Sequence, residues 1–303
     1  MGSRKLVRFD WAMKHILRNK ANFDVLEAFL SNLLKEDIIV EDILESESNQ
    51  DAQEQKFNRV DLKCKDSQGR RIIIEVQNQR EVDYLQRILW GTSKAIIESI
   101  DLGDEYVGVA KVISISILYH TIRSTEKENM DFIYYGTTEL YGVHNKKPLE
   151  LHGQMTLEGQ VPIINCKKVF PEYYMIYVEK FEDMIKEDID EWVYFFKNEE
   201  IRDDFKSKGI HLLAKKLDYL NMTKEKKREY DSYLMYLASE RDILKNAKMD
   251  GIAEGRAEGI AEGIAEGIEK GVINTAQNFK KLGVPIKTII EATGLSEDEI
   301  NKL

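Results

Sequence analysis

Cysteine and proline are scarce in this chain, with two and four residues among 303. Cys64 and Cys166 are too few and too far apart for a disulfide framework or a structural zinc site. The five histidines form no metal-ligand box either. No apolar run approaches the roughly 18 residues of a membrane-spanning helix, and the first residues lack an apolar signal core. Neither membrane insertion nor export is therefore expected, and the cytoplasm is the expected location. Positive charge is also in deficit, with 44 basic against 54 acidic residues and a net charge of -10. That balance argues mildly against a nucleic-acid partner, because phosphate contacts require cations. The charge is unevenly spread, however. Acidic residues crowd positions 36–54 and 179–191, whereas 4–20 and 56–71 are locally basic. Such basic stretches read either as solvated faces or as a stripe sufficient for backbone contacts.

What is present points to a folded protein. Hydrophobic residues make up 43% of the chain and charged residues 32%, a balance far from that of disordered sequences. The chain is long enough for one large domain or two.

The most informative stretch is Phe57 to Gln79, FNRVDLKCKDSQGRRIIIEVQNQ. It reads as two β-strands around Asp66-Ser67-Gln68-Gly69, with Asp opening the turn and Gly where a positive φ is often needed. Alternation along strands puts Asp61 and Lys63 on one face, and Glu75 and Gln77 on one face of the next strand. Two carboxylates on neighbouring strands would converge, as in sites that hold a hard divalent cation for phosphodiester hydrolysis. The bland reading is a solvated polar face on a half-exposed hairpin. Against it stands Ile72-Ile73-Ile74 running directly into Glu75, because a carboxylate at the end of a strand buried on both faces needs a cation or hydrogen bonds.

Asp61, the turn, and Glu75-Val76-Gln77 resemble the PD-(D/E)XK nuclease signature in a variant with Gln in place of the final Lys. The wider set resembles the Rpn family of recombination-promoting nucleases, also called PD-(D/E)XK family transposases. It comprises Phe9-Asp10-Trp11-Ala12-Met13-Lys14, Asp61, Ile74 to Gln77, Tyr84 with Arg87, the strand Val112 to Tyr119, and Asp190-Glu191-Trp192-Val193. The resemblance covers roughly residues 8 to 200. It implies a mixed α/β, restriction-endonuclease-like αβββαβ core and a metal-dependent DNA endonuclease linked to recombination or mobile DNA. Asp61 and Glu75 would hold Mg²⁺, or Mn²⁺ in its place, and Gln77 would orient water or a phosphate oxygen. Glutamine carries no charge and cannot trade protons near neutral pH as lysine does. Lys63 could supply the missing cation, or form an ordinary cross-strand ion pair. Asp10 is either a further contact of the site or a helix cap, and Arg87 either reaches phosphate or pairs with a nearby acid. The competing class is a nuclease-fold module that binds DNA or protein with little or no turnover.

In chain order, the apolar spacing predicts a helix over 10–34, broken near 19–22. A strand follows over 38–45, then the hairpin, a helix over 81–100 and a strand over 111–119. Short Tyr- and Ile-rich runs divided by glycines suggest further strands over 131–178, expected as a β-rich insertion. A helix over 183–198 and a charged helical region over 201–248 complete this part. From 251 to 271 glycine recurs every fourth residue in GIAEGRAEGIAEGIAEGIEKG. On a helix these glycines form a slowly turning stripe, each costing about 0.8 to 1 kcal/mol against alanine. The stretch reads either as a linker or as a self-association element making a homo-oligomer through the C-terminal helices. Residues 274–303 read as a small helix-turn-helix-like unit, with Ser296 and Glu299 in a capping box and an acidic last helix suited to protein contact.

Overall fold

A computed structural model describes residues 6–44, 62–78, 81–120, 131–152 and 163–303. It falls into two compact units, residues 1–230 and 231–303.

The first unit begins with helix α1 (Phe9–His15), a single 3-10 turn (Lys20–Asn22) and helix α2 (Phe23–Leu34). The expected break is therefore present. Asn19 makes it, accepting a hydrogen bond from the Ala21 amide at 3.0 Å, while the Asn22 side chain turns back to donate to the Ile16 carbonyl at 2.9 Å. Strands β1 (Val40–Ile43), β2 (Leu62–Asp66) and β3 (Arg71–Gln77) follow, then helix α3 (Tyr84–Ile97) and strand β4 (Val112–Leu118). The Asp66–Gly69 turn forms for the reasons its residues suggest. Asp66 Oδ1 accepts from the Gln68 and Arg70 amides at 3.0 and 2.9 Å, and Gly69 takes a φ of 78°.

Beyond β4 come β5 (Ile133–Thr137), β6 (Glu150–His152), β7 (Ile163–Asn165), the short helix α4 (Cys166–Val169) and β8 (Glu172–Tyr177). The principal sheet has the order β1-β2-β3-β4-β8-β5. Strand β4 lies parallel to both β3 and β8, and the remaining pairs are antiparallel. Two strands of the segment 131–178 thus extend this sheet, and β6 with β7 forms a separate two-stranded ladder. Helices α5 (Asp188–Asn198) and α6 (Ile210–Lys216) follow, and α7 (Lys224–Lys281) starts in this unit and ends in the second.

The core explains the strand order. Central β3 and β4 bury Ile72, Ile73, Ile74, Ile113, Ile115 and Ile117 almost completely. Each such side chain contributes about 1.5 to 3 kcal/mol when withdrawn from water. One sheet face carries α3, whose Ala95 packs on Ile73 and Val112, and whose Tyr84 and Ile88 pack on Leu118 and Tyr177. Elsewhere Phe9 of α1, Phe29 of α2, and Trp192 and Phe196 of α5 form an aromatic cluster with ring centroids 4.4 to 5.6 Å apart.

In the second unit the end of α7 packs against α8 (Ile286–Thr293) and α9 (Glu297–Lys302) through Ala276, Ile289 and Ile300, all fully buried. Gly294 closes α8 at a φ of 76°, and Ser296 with Glu299 forms the expected capping box. The glycine-repeat segment is helical, and a Cβ added at any of Gly251, Gly255, Gly259, Gly263, Gly267 or Gly271 would meet nothing within 4 Å. Ile252, Ile260, Ile264 and Ile268 along it are exposed.

Candidate active site

The β2–β3 register fixes the faces. Lys63 lies opposite Ile73 and Leu62 opposite Ile74, and directly opposed residues of an antiparallel pair share a face. Lys63, Ile73, Glu75 and Gln77 therefore face α3. In sequence Asp61 immediately precedes Leu62 and Glu75 immediately follows Ile74; Asp61 itself lies outside the described residues.

Glu75, at 8% exposure, lies beneath α3. Gly91 makes room for it, since a Cβ there would stand 3.9 Å from Glu75 Oε1. Arg87, one turn earlier on α3, brings its Nε to 3.9 Å from Glu75 Oε2. Arg87 Nη1 also donates to Glu81 Oε1, and Gln77 Nε2 donates to that same oxygen at 2.8 Å. One exterior carboxylate thus fixes both the guanidinium beside Glu75 and the Gln77 amide. Burial works against the charge on Arg87, but the hydrogen bond to Glu81 and the attraction of Glu75 outweigh it, and its pKa lies above the ordinary value. The nearby Tyr84 phenol is pushed up chiefly by burial.

Asp10 sits in the first turn of α1, at 3% exposure. Its Oδ2 accepts from Arg8 Nη2 at 3.0 Å and from Asn78 Nδ2 at 3.2 Å, and its Oδ1 from the Trp11 amide at 2.8 Å. Arg8 also reaches Glu199 at 3.3 Å and lies over the Tyr119 ring at 5.0 Å. Because Asn78 follows Gln77 directly, α1 is tied to the same end of β3 that carries Glu75 and Gln77.

Lys63 takes a different course. It is buried and its ammonium pairs with Glu98 just past the end of α3, where Arg71 also donates to the Ala95 carbonyl at 3.3 Å. Glu75, Gln77 and Arg87 are thus brought into one network and Asp10 into an adjoining one, while Lys63 is engaged at the other end of the helix. Glu81 and Asn78 carry much of this geometry and were not singled out from sequence. Both lie in the connection after β3, where no periodicity marks them. Arg8 had only its proximity to Asp10 as a signal.

A mixed sheet with α3 laid over a strand end bearing Glu75-Val76-Gln77, and with α1 tied to that end by Asp10, defines an α/β fold of the nuclease-like class. A family model for PD-(D/E)XK nuclease family transposases matches residues 7–247, and the chain belongs to that family. No curated protein and no solved structure matches the chain. Membership supports a nuclease-like function, and PD-(D/E)XK nucleases generally use divalent metal ions.

The donors at the end of β3 suit such an ion. Glu75 offers a carboxylate, and Gln77, with its Nε2 donating to Glu81, offers its amide oxygen. These are the hard oxygen ligands that Mg²⁺ and Mn²⁺ prefer. Among the described residues no group of three or more His, Cys, Asp and Glu side chains could hold a metal by itself. Among the described residues no helix is long and apolar enough to cross a membrane.

Proposed function

We propose that the chain is a metal-dependent DNA endonuclease hydrolysing phosphodiester bonds, in keeping with a role in the recombination of mobile DNA. The observation that carries this reading is Glu75, a carboxylate buried under α3 at a strand end and set beside the Arg87 guanidinium. Asp61 and Glu75 would hold Mg²⁺, with Mn²⁺ as a substitute. A bound divalent ion stabilises charge developing on the phosphoryl oxygens and lowers the pKa of a coordinated water. The protein's own groups do the rest. Arg87 sets a positive charge beside Glu75, and the Glu81 bond restrains Gln77 so that its oxygen can orient water or a phosphate oxygen. Asp10, held by Arg8 and Asn78, fixes α1 against that strand end and acts as a positioning residue.

One observation favours a second reading, a module that keeps the nuclease fold and binds DNA or protein with little turnover. Gln77 occupies the place of the usual lysine, and Lys63 is committed to Glu98. We further propose that the glycine-repeat segment of α7 makes a homo-oligomer, its small-residue stripe and exposed Ile260 and Ile264 packing on a second copy.

Plasmid nicking with Mg²⁺ or Mn²⁺, comparing wild type with Asp61→Ala and Glu75→Ala, tests the main reading. Nicking by wild type alone supports it. DNA retardation without nicking by any of the three would favour the binding module.

A further inference from the structure

A pocket of about 820 Å³ opens where β3, β4 and β8 begin. Sites for small molecules run from roughly 300 to 1,000 Å³. Glu75 and Gln77 lie toward the other end of β3, and the pocket is also on the other face of the sheet. Tyr173, Met175 and Tyr177 of β8 pack with Tyr84 and Ile88 of α3, so alternation turns Glu172 and Tyr174 away from that helix. Tyr135 of β5 pairs with Tyr174 and joins it on the pocket side, with ring centroids 5.0 Å apart.

The charges lining this pocket are unequal. Among the described residues Arg70, Lys111, Lys167 and Lys168 stand against Glu36 and Glu172. Both acids are already engaged within the lining, Glu36 by Arg70 at 2.5 Å and Glu172 by Lys111 at 2.7 Å. Arg70 also holds Asp66, yet its Nη2 is left without an acceptor among the described residues, a rare condition for a buried donor. Lys167 pairs with Glu139, outside the lining, and Lys168 donates to the Ile163 carbonyl at 3.0 Å, a neutral partner. Both lysines are exposed. In a chain of net charge -10 this local surplus is positive, and it suits an anion. The Tyr135 ring is half exposed and offers a planar group a surface to stack on. Burial raises the Tyr135 and Tyr174 phenols above their ordinary values, so both remain donors at neutral pH. Asn165 Oδ1 is taken by the Lys168 amide at 3.2 Å, which leaves its Nδ2, with the exposed Gln68 amide, for a polar ring edge. We propose that this pocket binds a nucleoside phosphate, with the base against Tyr135 and the phosphate held by Lys167 and Lys168. A free nucleotide and the 5′ end of a nucleic-acid strand share that chemistry. This site is separate from the Glu75 end of β3 and does not depend on catalysis there.

Isothermal titration of the full chain in EDTA tests this without involving a metal ion. The probes are deoxyadenosine 5′-monophosphate and a 5′-phosphorylated single-stranded tetranucleotide, compared with inorganic phosphate and unphosphorylated deoxyadenosine. At least one of the two probes should bind saturably, on the order of tenfold tighter than either fragment. Tighter binding of the tetranucleotide would identify a strand end as the occupant, and tighter or equal binding of the mononucleotide a free nucleotide. Tyr135→Ala should weaken the binding by about tenfold, the usual scale for a lost stacking partner, whereas Tyr135→Phe should keep most of it. The double variant Lys167→Gln with Lys168→Gln should weaken it by a similar factor, and since both positions are exposed, circular dichroism should show it folded. Glu75→Gln should bind as wild type does. Four outcomes overturn the proposal: no saturable binding of either probe, inorganic phosphate binding as tightly as both, affinity indifferent to the Tyr135→Ala and double-lysine changes, or binding lost in Glu75→Gln. The last would place the ligand at the other end of β3.

Discussion

Arg87 Nε stands 3.9 Å from Glu75 Oε2, and the same guanidinium donates to Glu81. A buried strand-end carboxylate and a helix-borne cation are thus held together by an acid outside the sheet. The arrangement sets a positive charge beside the Glu75 carboxylate under α3.

Replacing Arg87 with Gln should therefore destabilise the protein. Breaking a buried pair costs about 3 to 5 kcal/mol, and partial solvent access to Arg87 reduces this to about 1 to 2 kcal/mol. Urea denaturation of Arg87→Gln against wild type measures it. A variant as stable as wild type would show that the pair contributes nothing.

Asp10→Ala should cost more, about 3 kcal/mol, because it removes an acid paired with the buried Arg8 and the acceptor of the Asn78 Nδ2 hydrogen bond. The same denaturation experiment reads the loss. Asp10→Asn should recover part of it by keeping a hydrogen-bond acceptor for Arg8 and Asn78.

The pH dependence of stability should carry a signature of Cys64. Burial, with a smaller contribution from Asp66, pushes its thiol up from 9.0 to about 12. The folded state therefore favours the neutral thiol. That contribution is fully present below about pH 9 and is lost progressively as pH rises toward 12. Cys64→Ser should flatten this alkaline decline. In native protein at pH 8, thiol reagents should label Cys166 and spare Cys64.

Alanine at Gly259 and Gly263 separates the two readings of the repeat. Nothing lies within 4 Å of a Cβ at either position, so each change should raise helix stability by about 0.8 to 1 kcal/mol in an isolated chain. If the stripe packs closely on a second copy, the same changes should lower the mass found by light scattering while helicity rises. An unchanged mass would leave the repeat as a spacer.

Much of the fold was legible because it rests on local pattern. Ile72 to Ile74 announced a central strand, Asp66 and Gly69 a turn, and Ser296 with Glu299 a helix start. The order helix, three strands, helix, strand followed from alternating periodicities. What stayed hidden depended on partners distant in sequence. The pairing of β8 with β4 is parallel and spans a long connection, whereas Tyr173 to Val178 read from sequence as extending a second set of strands. At the site, the sequence placed Glu75 and Gln77 on one face of β3. It could not show that Lys63 would meet Glu98, since that pairing depends on how far α3 runs back along the sheet. Nor could it show Asp10 meeting Asn78, which joins two elements separated by the whole hairpin.

Manganese binding tests the shared-cation site most directly. Electron paramagnetic resonance of Mn²⁺ titrated into the full chain should reveal one tight site per chain, competed by Mg²⁺. Asp61→Asn and Glu75→Gln should each abolish it, with the fold intact by circular dichroism. Binding of Mn²⁺ undiminished in both variants would contradict the assignment.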